Sequence, residues 1–345
     1  MSAARLWARR NSGAIAAALL FAVLYGIYMH LHPNGFAANV LLTNSNQAFG
    51  LVLVSMAQAL TILSGGIDLS VGAVMVMSTC LASVVVNGSP LEVAGGVLLC
   101  LAAGAAAGLV NGLVIVYGRL QPLIVTIATG ALFLGIAMFL RPAPGGEVDL
   151  DASDMFTSDL GFLVPPAADI PYLGAIPISL ILLAAVLLLV WLPFRRSILG
   201  RGVYAVGSSE GSAYLSGVPV RASKIAAYTL AGLLAAISGL FVAFLTGSGD
   251  AKAAQAGIYT LNSIAAVVIG GNPLTGGIGG LVGPMLGAMV LRTISSMMRV
   301  TDTILWIMPA DPLVQPLFEG LVLLAAVTFG AARVLRARNR LDLFR

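Results

Sequence analysis

A single carboxylate between two long apolar runs is the group in this sequence best placed to do chemistry. Asp68 stands in the motif SGGIDLSVG, residues 64–72, with apolar residues 50–63 before it and 71–86 after it. An Asp near the centre of a bilayer costs roughly 2.5–3.5 kcal/mol on insertion scales, so this side chain must face protein or water, pair, or cap a helix end. The glycines around it predict that a membrane-spanning helix is interrupted here.

Three roles for Asp68 are consistent with this position. As a helix cap, its carboxylate accepts hydrogen bonds from the free N–H groups of Ser70 or Val71. Alternatively, its charge forms a gating contact between helices, or it binds a substrate directly. The glycines before it and the apolar helix after it favour the cap.

Groups for other kinds of chemistry are scarce. The chain has only two lysines, Lys224 and Lys252, and neither has the glycine spacing of a phosphate-binding P-loop. We therefore expect a chain that is not an enzyme and binds no ATP, cofactor or metal itself. Asp68, Arg292 and Glu319 are the only ionisable candidates for a buried proton relay, which weakens a proton-coupled carrier but leaves Na⁺ coupling through backbone carbonyls open. The sequence does not define the roles of Arg292 and Glu319.

The composition excludes a soluble domain. Of 345 residues, 59% are apolar and only 9% are charged, against about 25% charged in soluble domains. We therefore predict an all-α, polytopic membrane protein embedded in the lipid bilayer. The 18 basic residues exceed the 14 acidic ones, but they cluster at the ends of apolar segments, which is typical of topology signals and not of a nucleic-acid partner. Cys80 and Cys100 lie in apolar runs, so we expect buried thiols.

About ten apolar segments are candidates for membrane-spanning helices, which need about 20 residues. The eighth is short enough to be broken or re-entrant, so the boundaries between residues 258 and 280 are the least defined. The predicted spans are residues 13–31, 40–63, 69–86, 93–117, 123–140, 176–193, 225–246, 263–270, 281–298 and 313–332.

Basic residues predict the orientation of this single transmembrane domain, residues 1–345. Cytoplasmic loops are enriched in Lys and Arg, and ten spans place the basic clusters at residues 5–10, 119, 195–224 and 333–345 on one side. Both termini are therefore predicted to be cytoplasmic. Residues 141–175, here called the acidic segment, then lie in the periplasm; they have no basic residue after Arg141 and could offer a docking surface.

The cytoplasmic stretch of residues 195–224 is longer than a connector needs. At its centre, Glu210–Leu215 could form a short amphipathic helix along the membrane surface, with Ala213 and Leu215 partly buried. The alternative is an ordinary solvated loop.

Two glycine patterns concern packing. Glycines at positions 104, 108 and 112, and again at 279, 283 and 287, fall every fourth residue, which lets neighbouring helix backbones approach closely. Residues 65–72 and 270–277 also share the frame Gly-Gly-x-x-Leu-Ser/Thr-x-Gly after an apolar run. Such an echo is expected of a transporter built from internal repeats, although chance could produce it in a chain with 40 glycines.

The motif around Asp68 resembles the signature of permease subunits of bacterial ATP-binding cassette importers of the ribose, xylose and galactofuranose type. The match begins at residue 62, and further matches are residues 108–112, 121–126, 200–207 and 265–271. The resemblance covers roughly residues 40–335. The signature residues with a structural role by this resemblance are Gly65, Gly66, Asp68, Ser70 and Gly72.

The resemblance also assigns a role to residues 210–217. They correspond to the cytoplasmic coupling helix that sits in a groove of the ATPase subunit, and the matching positions are Glu210, Leu215, Ser216 and Gly217. The departures from the family pattern are Gly211, Ser212, Tyr214, Gln121 and the pair Glu319-Gly320, and no family role carries over to Glu319.

By this resemblance, the chain is the transmembrane subunit of an importer in the bacterial inner membrane that translocates a pentose or hexose delivered by a periplasmic sugar-binding protein. It implies a second permease copy or paralogue and a separate ABC ATPase subunit that binds the ATP. A sugar presents hydroxyls, so its pathway needs amide and hydroxyl partners that hold it weakly. The candidates are Asn46, Gln58, Asn111, Thr126 and Thr129.

Two other functions stay open. An ion- or proton-coupled secondary sugar transporter would move sugar without an ATPase, and a non-transporting membrane scaffold would bind the ATPase but support no uptake. The sequence specifies neither the sugar nor whether the permease forms a homodimer or a heterodimer.

Overall fold

A computed structural model describes residues 11–168, 170, 173–300, 303–304, 308–309 and the single positions 317, 320, 321, 324 and 328. These residues are almost entirely helical, which confirms the all-α class; the strands among them are Thr303–Ile304 and Met308–Pro309, paired antiparallel. The helices are α1 (Ser12–Leu31), α2 (Ala38–Leu63), α3 (Val71–Val85), α4 (Pro90–Gly118), α5 (Pro122–Leu140), α6 (Leu150–Thr157), α7 (Leu160–Leu163), α8 (Pro165–Ala168), α9 (Ile178–Ala185), α10 (Leu192–Arg196), α11 (Ile198–Ser208), α12 (Glu210–Leu215), α13 (Val220–Thr246), α14 (Ala253–Ile269) and α15 (Val282–Val300).

Among the described residues, six helical stretches are long and apolar enough to cross a membrane: α1, α2, α4, α5, α13 and the continuous Ile178–Arg196, in which a π-helical segment joins α9 to α10. Two shorter apolar helices, α3 and α14, and the 19-residue α15 complete the first nine predicted spans. The prediction of a polytopic membrane protein is therefore confirmed. The tenth predicted span lies largely outside the described residues, and Glu319, Asp169 and the basic residues at both ends lie wholly outside them.

The eighth predicted span differs most from the structure. It begins at residue 263 in the prediction, but the helix is α14, which begins at Ala253 and runs unbroken for 17 residues. That length rises about 25 Å at 1.5 Å per residue, close to the thickness of the hydrocarbon core. The short predicted segment could have been broken or re-entrant, but the helix is continuous. Thr260 and Ser263 are buried against protein, where their hydroxyls bond to helix carbonyls.

The centre of the molecule is formed by α2 and α13. In α2, 94% of the apolar window is buried inside the protein, against 17–28% in α1, α4 and α5. A helix that is apolar on every side can therefore be either central or lipid-facing in a membrane, because lipid and protein interior are equally apolar. Helices α3, α4 and α2 pack directly on α13, and α1 packs on α15.

The first glycine ladder is confirmed as a packing device. Helix α4 lies against α13 so closely that a Cβ atom added to Gly108 would stand 2.1 Å from the carbonyl oxygen of Tyr228. The second ladder is only partly helical: Gly283 and Gly287 pack on α14 and its end, but Gly279 lies in the loop before α15 with φ +122°. The spacing rule fails there because periodicity alone does not locate where α15 begins.

The two echoing glycine segments share a helix-ending geometry. At the end of α2, Gly65 has φ +85°, its N–H donates to Ile62 (2.9 Å), and the next N–H reaches back to Thr61 (3.0 Å). At the end of α14, Gly271 has φ +84° and the same pair of bonds, at 2.9 and 3.1 Å. Both are glycine C-caps of the Schellman type. Gly65 therefore corresponds to Gly271, one residue away from the register that the sequence frame predicts.

The acidic segment is folded into three short helices, α6, α7 and α8. Two of its carboxylates cap them: Asp149 accepts from the N–H of Ala152 (2.8 Å), and Asp159 accepts from the N–H of Phe162 (3.0 Å). Backbone bonds between Gly145 and Gly249 tie the segment to the connection between α13 and α14. The acidic residues thus cap short helices as well as giving the segment its negative charge.

Candidate functional site

The signature forms a loop, residues 64–70, between two helices, which confirms the predicted interruption. Helix α2 ends at Leu63 and α3 begins at Val71. The turn at Gly65 needs a positive φ, which glycine adopts without steric cost. A Cβ atom added to Gly66 would lie 2.3 Å from the hydroxyl oxygen of Tyr228 and 3.1 Å from Pro122. Both glycines are therefore required by the backbone, one by its conformation and the other by its neighbours.

Asp68 makes the hydrogen bond that the capping interpretation predicts. Its carboxylate is only 3% exposed, and its Oδ1 atom accepts from the backbone N–H of Ser70 (2.8 Å) and from the Ser70 hydroxyl (2.6 Å). However, α3 begins at Val71 with Ser70 as its N-cap residue. Asp68 therefore closes an Asx turn just before the helix and does not bond to the N–H groups inside it.

Two amide side chains from other helices hold this loop. With the Gln58 amide oriented so that both of its groups have partners, its nitrogen donates to the carbonyl of Asp68 (2.8 Å) and its oxygen accepts from the Asp68 N–H (3.2 Å). From α4, the Asn111 amide donates to the hydroxyl of Ser70 (2.8 Å). A chain of donors thus runs from Asn111 through Ser70 to the Asp68 carboxylate.

Thr126 of α5 completes the enclosure of the loop. Its hydroxyl accepts from the N–H of Leu69 (3.0 Å) and lies 2.9 Å from the carbonyl of Pro122, one turn earlier in its own helix. Gln58, Asn111 and Thr126, predicted as pathway residues, are therefore gathered around the signature loop. Each of them is buried and directed at the loop.

The other two pathway candidates lie apart from this cluster. Asn46 donates to the carbonyl of Thr157 at the end of α6 (2.5 Å), so it ties α2 to the acidic segment. The hydroxyl of Thr129 donates to Val125 in its own helix (3.0 Å). The structure does not bring either residue to the signature loop.

A cavity of about 310 Å³ opens beside the loop, between α3, α5 and α14. At this point α3 touches α14: the N–H of Gly72 donates to the Thr260 hydroxyl (3.2 Å), and a Cβ atom on Gly72 would stand 2.0 Å from the carbonyl of Ala256. The cavity is lined by small and apolar residues and carries no charged side chain. Its lining includes Leu69, Ala73, Gly130, Gly257 and Thr260.

Two residues of this site, Thr260 and Tyr228, were not predicted from the sequence. Thr260 lay outside the predicted eighth span. Tyr228 is 1% exposed, and its hydroxyl lies against the signature loop at Gly66. The sequence contained a signal for both residues. Each carries a hydroxyl and lies within one helical turn of an apolar run.

The predicted short helix of the long polar stretch is present as α12. It begins at the N-cap Ser209, whose hydroxyl accepts from the N–H of Ser212 (3.3 Å), and the chain turns after it at Gly217, with φ +75°. Ala213 is buried as predicted, but Leu215 is 86% exposed, so that part of the prediction is wrong. Two residues apart on a helix are separated by about 200°, so both cannot face the same side.

The charged end of α12 is attached to α13. Glu210 forms an ion pair with Lys224 (2.5 Å) in which the lysine side chain is 17% exposed and the glutamate 57%. Beside this pair lies a cleft of about 1050 Å³ that extends to the α4–α5 connection at Arg119 and Gln121. Because Glu210 neutralises Lys224, the remaining charge of the cleft is that of Arg119 and Arg221. Arg221 also lies over the ring of Tyr117, 5.9 Å from its centroid.

Ser216 and Gly217, which match the family's coupling helix, lie in the turn that follows α12. Ser216 follows α12 and donates its hydroxyl to the carbonyl of Ser212 (2.8 Å), and Gly217 has no atom within 4 Å of an added Cβ. The departing residue Tyr214 is 74% exposed, like Leu215 beside it. Helix α12 therefore presents two large exposed side chains while its charged residue is already paired.

Residues 40–327 match the family described as branched-chain amino acid transport system / permease component. The match covers most of the chain. The chain belongs to this permease family. It is a transport protein and not an enzyme, and its helices make it a multi-pass protein of the inner membrane.

Curated relatives support the same conclusion. This permease is 34% identical over 270 residues to the ribose import permease protein of Escherichia coli strain K12, covering 78% of this chain and 80% of the relative. It is 31% identical over 276 residues to the ribose import permease protein of Bacillus subtilis strain 168, covering 80% and 79%. It is 30% identical over 280 residues to the autoinducer 2 import system permease protein of Salmonella paratyphi A, covering 81% and 80%. No solved structure matches it.

The predicted resemblance to importer permeases of the ATP-binding cassette type is therefore confirmed, and an ion-coupled carrier is not favoured. Arg292, whose role the sequence left undefined, donates to the side-chain oxygen of Gln47 (2.8 Å) on α2 and lines a separate apolar cavity of about 200 Å³.

Proposed function

We propose that this permease passes a monosaccharide across the inner membrane, delivered by a periplasmic binding protein and driven by a separate ATPase subunit that docks on α12. The observation that carries the proposal is the similarity to ribose import permeases over about four fifths of both chains, 78% and 80% for the relative from Escherichia coli. The geometry of α12 supports the docking of an ATPase subunit. The cavity beside the signature loop supports the passage of a monosaccharide.

The exposed face of α12 suits a protein partner. Tyr214 and Leu215 are 74% and 86% exposed and adjacent on a six-residue helix. Large apolar side chains on a polar surface mark interaction sites. The ion pair of Glu210 with Lys224 fixes the helix to α13, so a force applied to α12 by a partner reaches a membrane-spanning helix.

The cavity beside the signature loop suits a neutral substrate held weakly. Its lining carries the hydroxyl of Thr260 and no charge, and the nearby carboxylate of Asp68 is turned toward Ser70. A charged substrate would find no counter-charge there. Few polar partners favour passage over tight retention.

A second permease copy or a paralogue completes the pathway in this proposal. The cavity lies against α5, of which only 22% of the apolar window is buried by this chain. This side of α5 is available to a second permease. The mass of the purified complex, measured in detergent or nanodiscs, gives the number of permease chains.

The decisive experiment is reconstitution of the permease in vesicles with its ATPase subunit and binding protein. We expect uptake of radiolabelled D-ribose that requires ATP and the binding protein, and a panel of other pentoses and hexoses defines the specificity. Sugar uptake driven by an ion gradient without the ATPase subunit would overturn the proposal. Binding of the ATPase without uptake of any sugar in the panel would favour a scaffold instead.

A further inference from the structure

Three segments of the chain meet backbone to backbone beside α12. They are the end of α2 at Leu63, the end of α11 at Gly207 and Ser208, and the loop before α15 at Gly276 and Gly277. The N–H of Gly277 donates to the carbonyl of Leu63 (3.1 Å), which joins two of the segments directly. This meeting point is called the glycine junction below.

The three backbones approach one another closely, and the Ser208 hydroxyl lies at the same point. A Cβ atom on Gly207 would stand 2.0 Å from the carbonyl oxygen of Leu63 and 2.5 Å from the nitrogen of Gly277. A Cβ atom on Gly277 would stand 2.6 Å from the nitrogen of Ser208. Backbones packed at this distance cannot slide independently, because close-packed interiors transmit displacement with little compression.

The glycine junction lies one step from α12 along the chain. Gly207 and Ser208 are the last residues of α11, and Ser209 is the N-cap of α12. One turn earlier in α11, the hydroxyl of Tyr204 donates to the carbonyl of Gly279 (3.0 Å) in the loop before α15. Helix α11 is thus held to that loop at two points.

We propose that the glycine junction is the mechanical link by which a displacement of α12 reaches the signature loop and α15. This inference rests on the proposed docking of an ATPase on α12 and names the residues that carry the motion onward. A shift of α12 moves Gly207, and Gly207 presses on Leu63, immediately before the signature loop, and on Gly277, which leads into α15. The residues of the junction are positioning residues, since none of them contacts a substrate.

Gly207→Ala is the sharpest test, because Gly207 is helical and alanine is a better helix former than glycine. The only local effect of the substitution is to separate the three backbones. The matched control is Gly95→Ala in α4, also helical, where an added Cβ meets nothing within 4 Å. Both variants are assembled with the ATPase subunit and binding protein in vesicles supplied with D-ribose.

We expect Gly207→Ala to keep the ATPase subunit bound during purification while the ribose transported per ATP hydrolysed falls roughly tenfold, the size of strong single-residue effects on coupling. Gly95→Ala should match the wild type in both measurements. Tyr204→Phe removes only a hydroxyl and should lower the ribose transported per ATP hydrolysed by a smaller factor. This variant replaces Gly207→Ala as the test if Gly207→Ala does not fold.

The outcomes separate the inference from the proposed function. If a folded Gly207→Ala complex transports as much ribose per ATP hydrolysed as the wild type, the role of the glycine junction is overturned and the proposed function is not. If Gly207→Ala does not fold, the same result in Tyr204→Phe overturns the role of the junction. A wild-type permease that neither binds the ATPase nor imports sugar with it would overturn the proposed function, and the inference would fall with it. Loss of ATPase binding in Gly207→Ala would assign the junction to docking and contradict a role in transmission.

Discussion

The hydroxyl of Ser70 donates to the carboxylate of Asp68 at 2.6 Å, and the backbone N–H of Ser70 donates to the same oxygen at 2.8 Å. One carboxylate oxygen thus closes the turn that leads into α3. The Ser70 oxygen in turn accepts from Asn111 on α4, which links the turn to a neighbouring span. The most polar group of the signature is therefore used to set the start of a helix.

Asp68→Asn should preserve uptake. The amide oxygen of asparagine can accept the same two hydrogen bonds, and asparagine forms Asx turns as readily as aspartate. Asp68→Ala removes the acceptor of two hydrogen bonds and should reduce the amount of folded permease in the membrane, since a hydrogen bond to a charged group contributes about 1.5–3 kcal/mol. Ribose uptake normalised to folded protein measures both effects. A well-folded Asp68→Asn permease without transport would show that the negative charge itself is required.

Gln58→Leu should destabilise the permease strongly. The substitution leaves the N–H and carbonyl of Asp68 buried without their amide partner, and each unsatisfied group costs about 1–3 kcal/mol. The midpoint of thermal unfolding in detergent should fall, whereas Gln121→Leu, at an exposed position, should leave it unchanged. An unaltered midpoint in Gln58→Leu would contradict the role assigned to this amide.

Gly66→Ala should lower stability, and Tyr228→Phe should partly restore it. The added methyl would stand 2.3 Å from the Tyr228 hydroxyl oxygen, a group that is buried without a hydrogen-bond partner. Tyr228→Phe alone should therefore cost little, because no bond is lost. The thermal unfolding midpoints of the two single variants and of the double variant are compared with the wild type in a double-mutant cycle. Additive effects in the double variant would show that the two residues do not interact.

Glu210→Lys should abolish uptake while leaving membrane insertion intact. The change places two ammonium groups together where an ion pair now holds α12 to α13. The exchange variant Glu210→Lys with Lys224→Glu rebuilds the pair and should recover part of the uptake. If the exchange variant remains inactive while the ATPase still binds, the charge of Glu210 itself is needed at the interface.

Gly217→Leu should also abolish uptake, because leucine is strained at φ +75°.

Leu215→Ser should weaken binding of the ATPase subunit without affecting the fold. Leu215 is 86% exposed and contributes little to the interior of this chain. Leu150→Ser is the matched control, since Leu150 is 75% exposed on α6, far along the chain from α12. Co-purification of the ATPase at rising salt measures the difference. Equal retention by both variants would remove Leu215 from the docking surface.

The sequence was informative wherever local chemistry decides local structure. Glycine at 65 and 66 predicted the break in the helix, the polar residues after 195 predicted α12, and the four-residue spacing of Gly108 and its neighbours predicted close packing with another helix. Each of these depends on a few adjacent residues. Eight predicted spans match helical stretches of the described residues, and these follow from hydropathy in the same way.

What sequence could not supply was the partner of each polar group. Gln58 and Thr126 are amide and hydroxyl residues in apolar helices, which is what a sugar pathway requires, but their bonds go to the signature loop. The contact between Leu63 and Gly277 joins residues more than two hundred positions apart. Hydrophobic periodicity does not predict such pairs, because it shows which side of a helix is apolar and not which residue of another segment packs against that side.

The capped helices of the acidic segment bear on how fast a partner can bind. Asp149 and Asp159 order α6 and α7 within this chain, and Asn46 anchors the end of α6 to α2. If a binding protein docks there, it meets a preformed surface, so little conformational entropy is lost at the moment of encounter. Association should then resemble rigid-body docking, with a rate governed by diffusion and by the negative charge of the segment and not by a folding step.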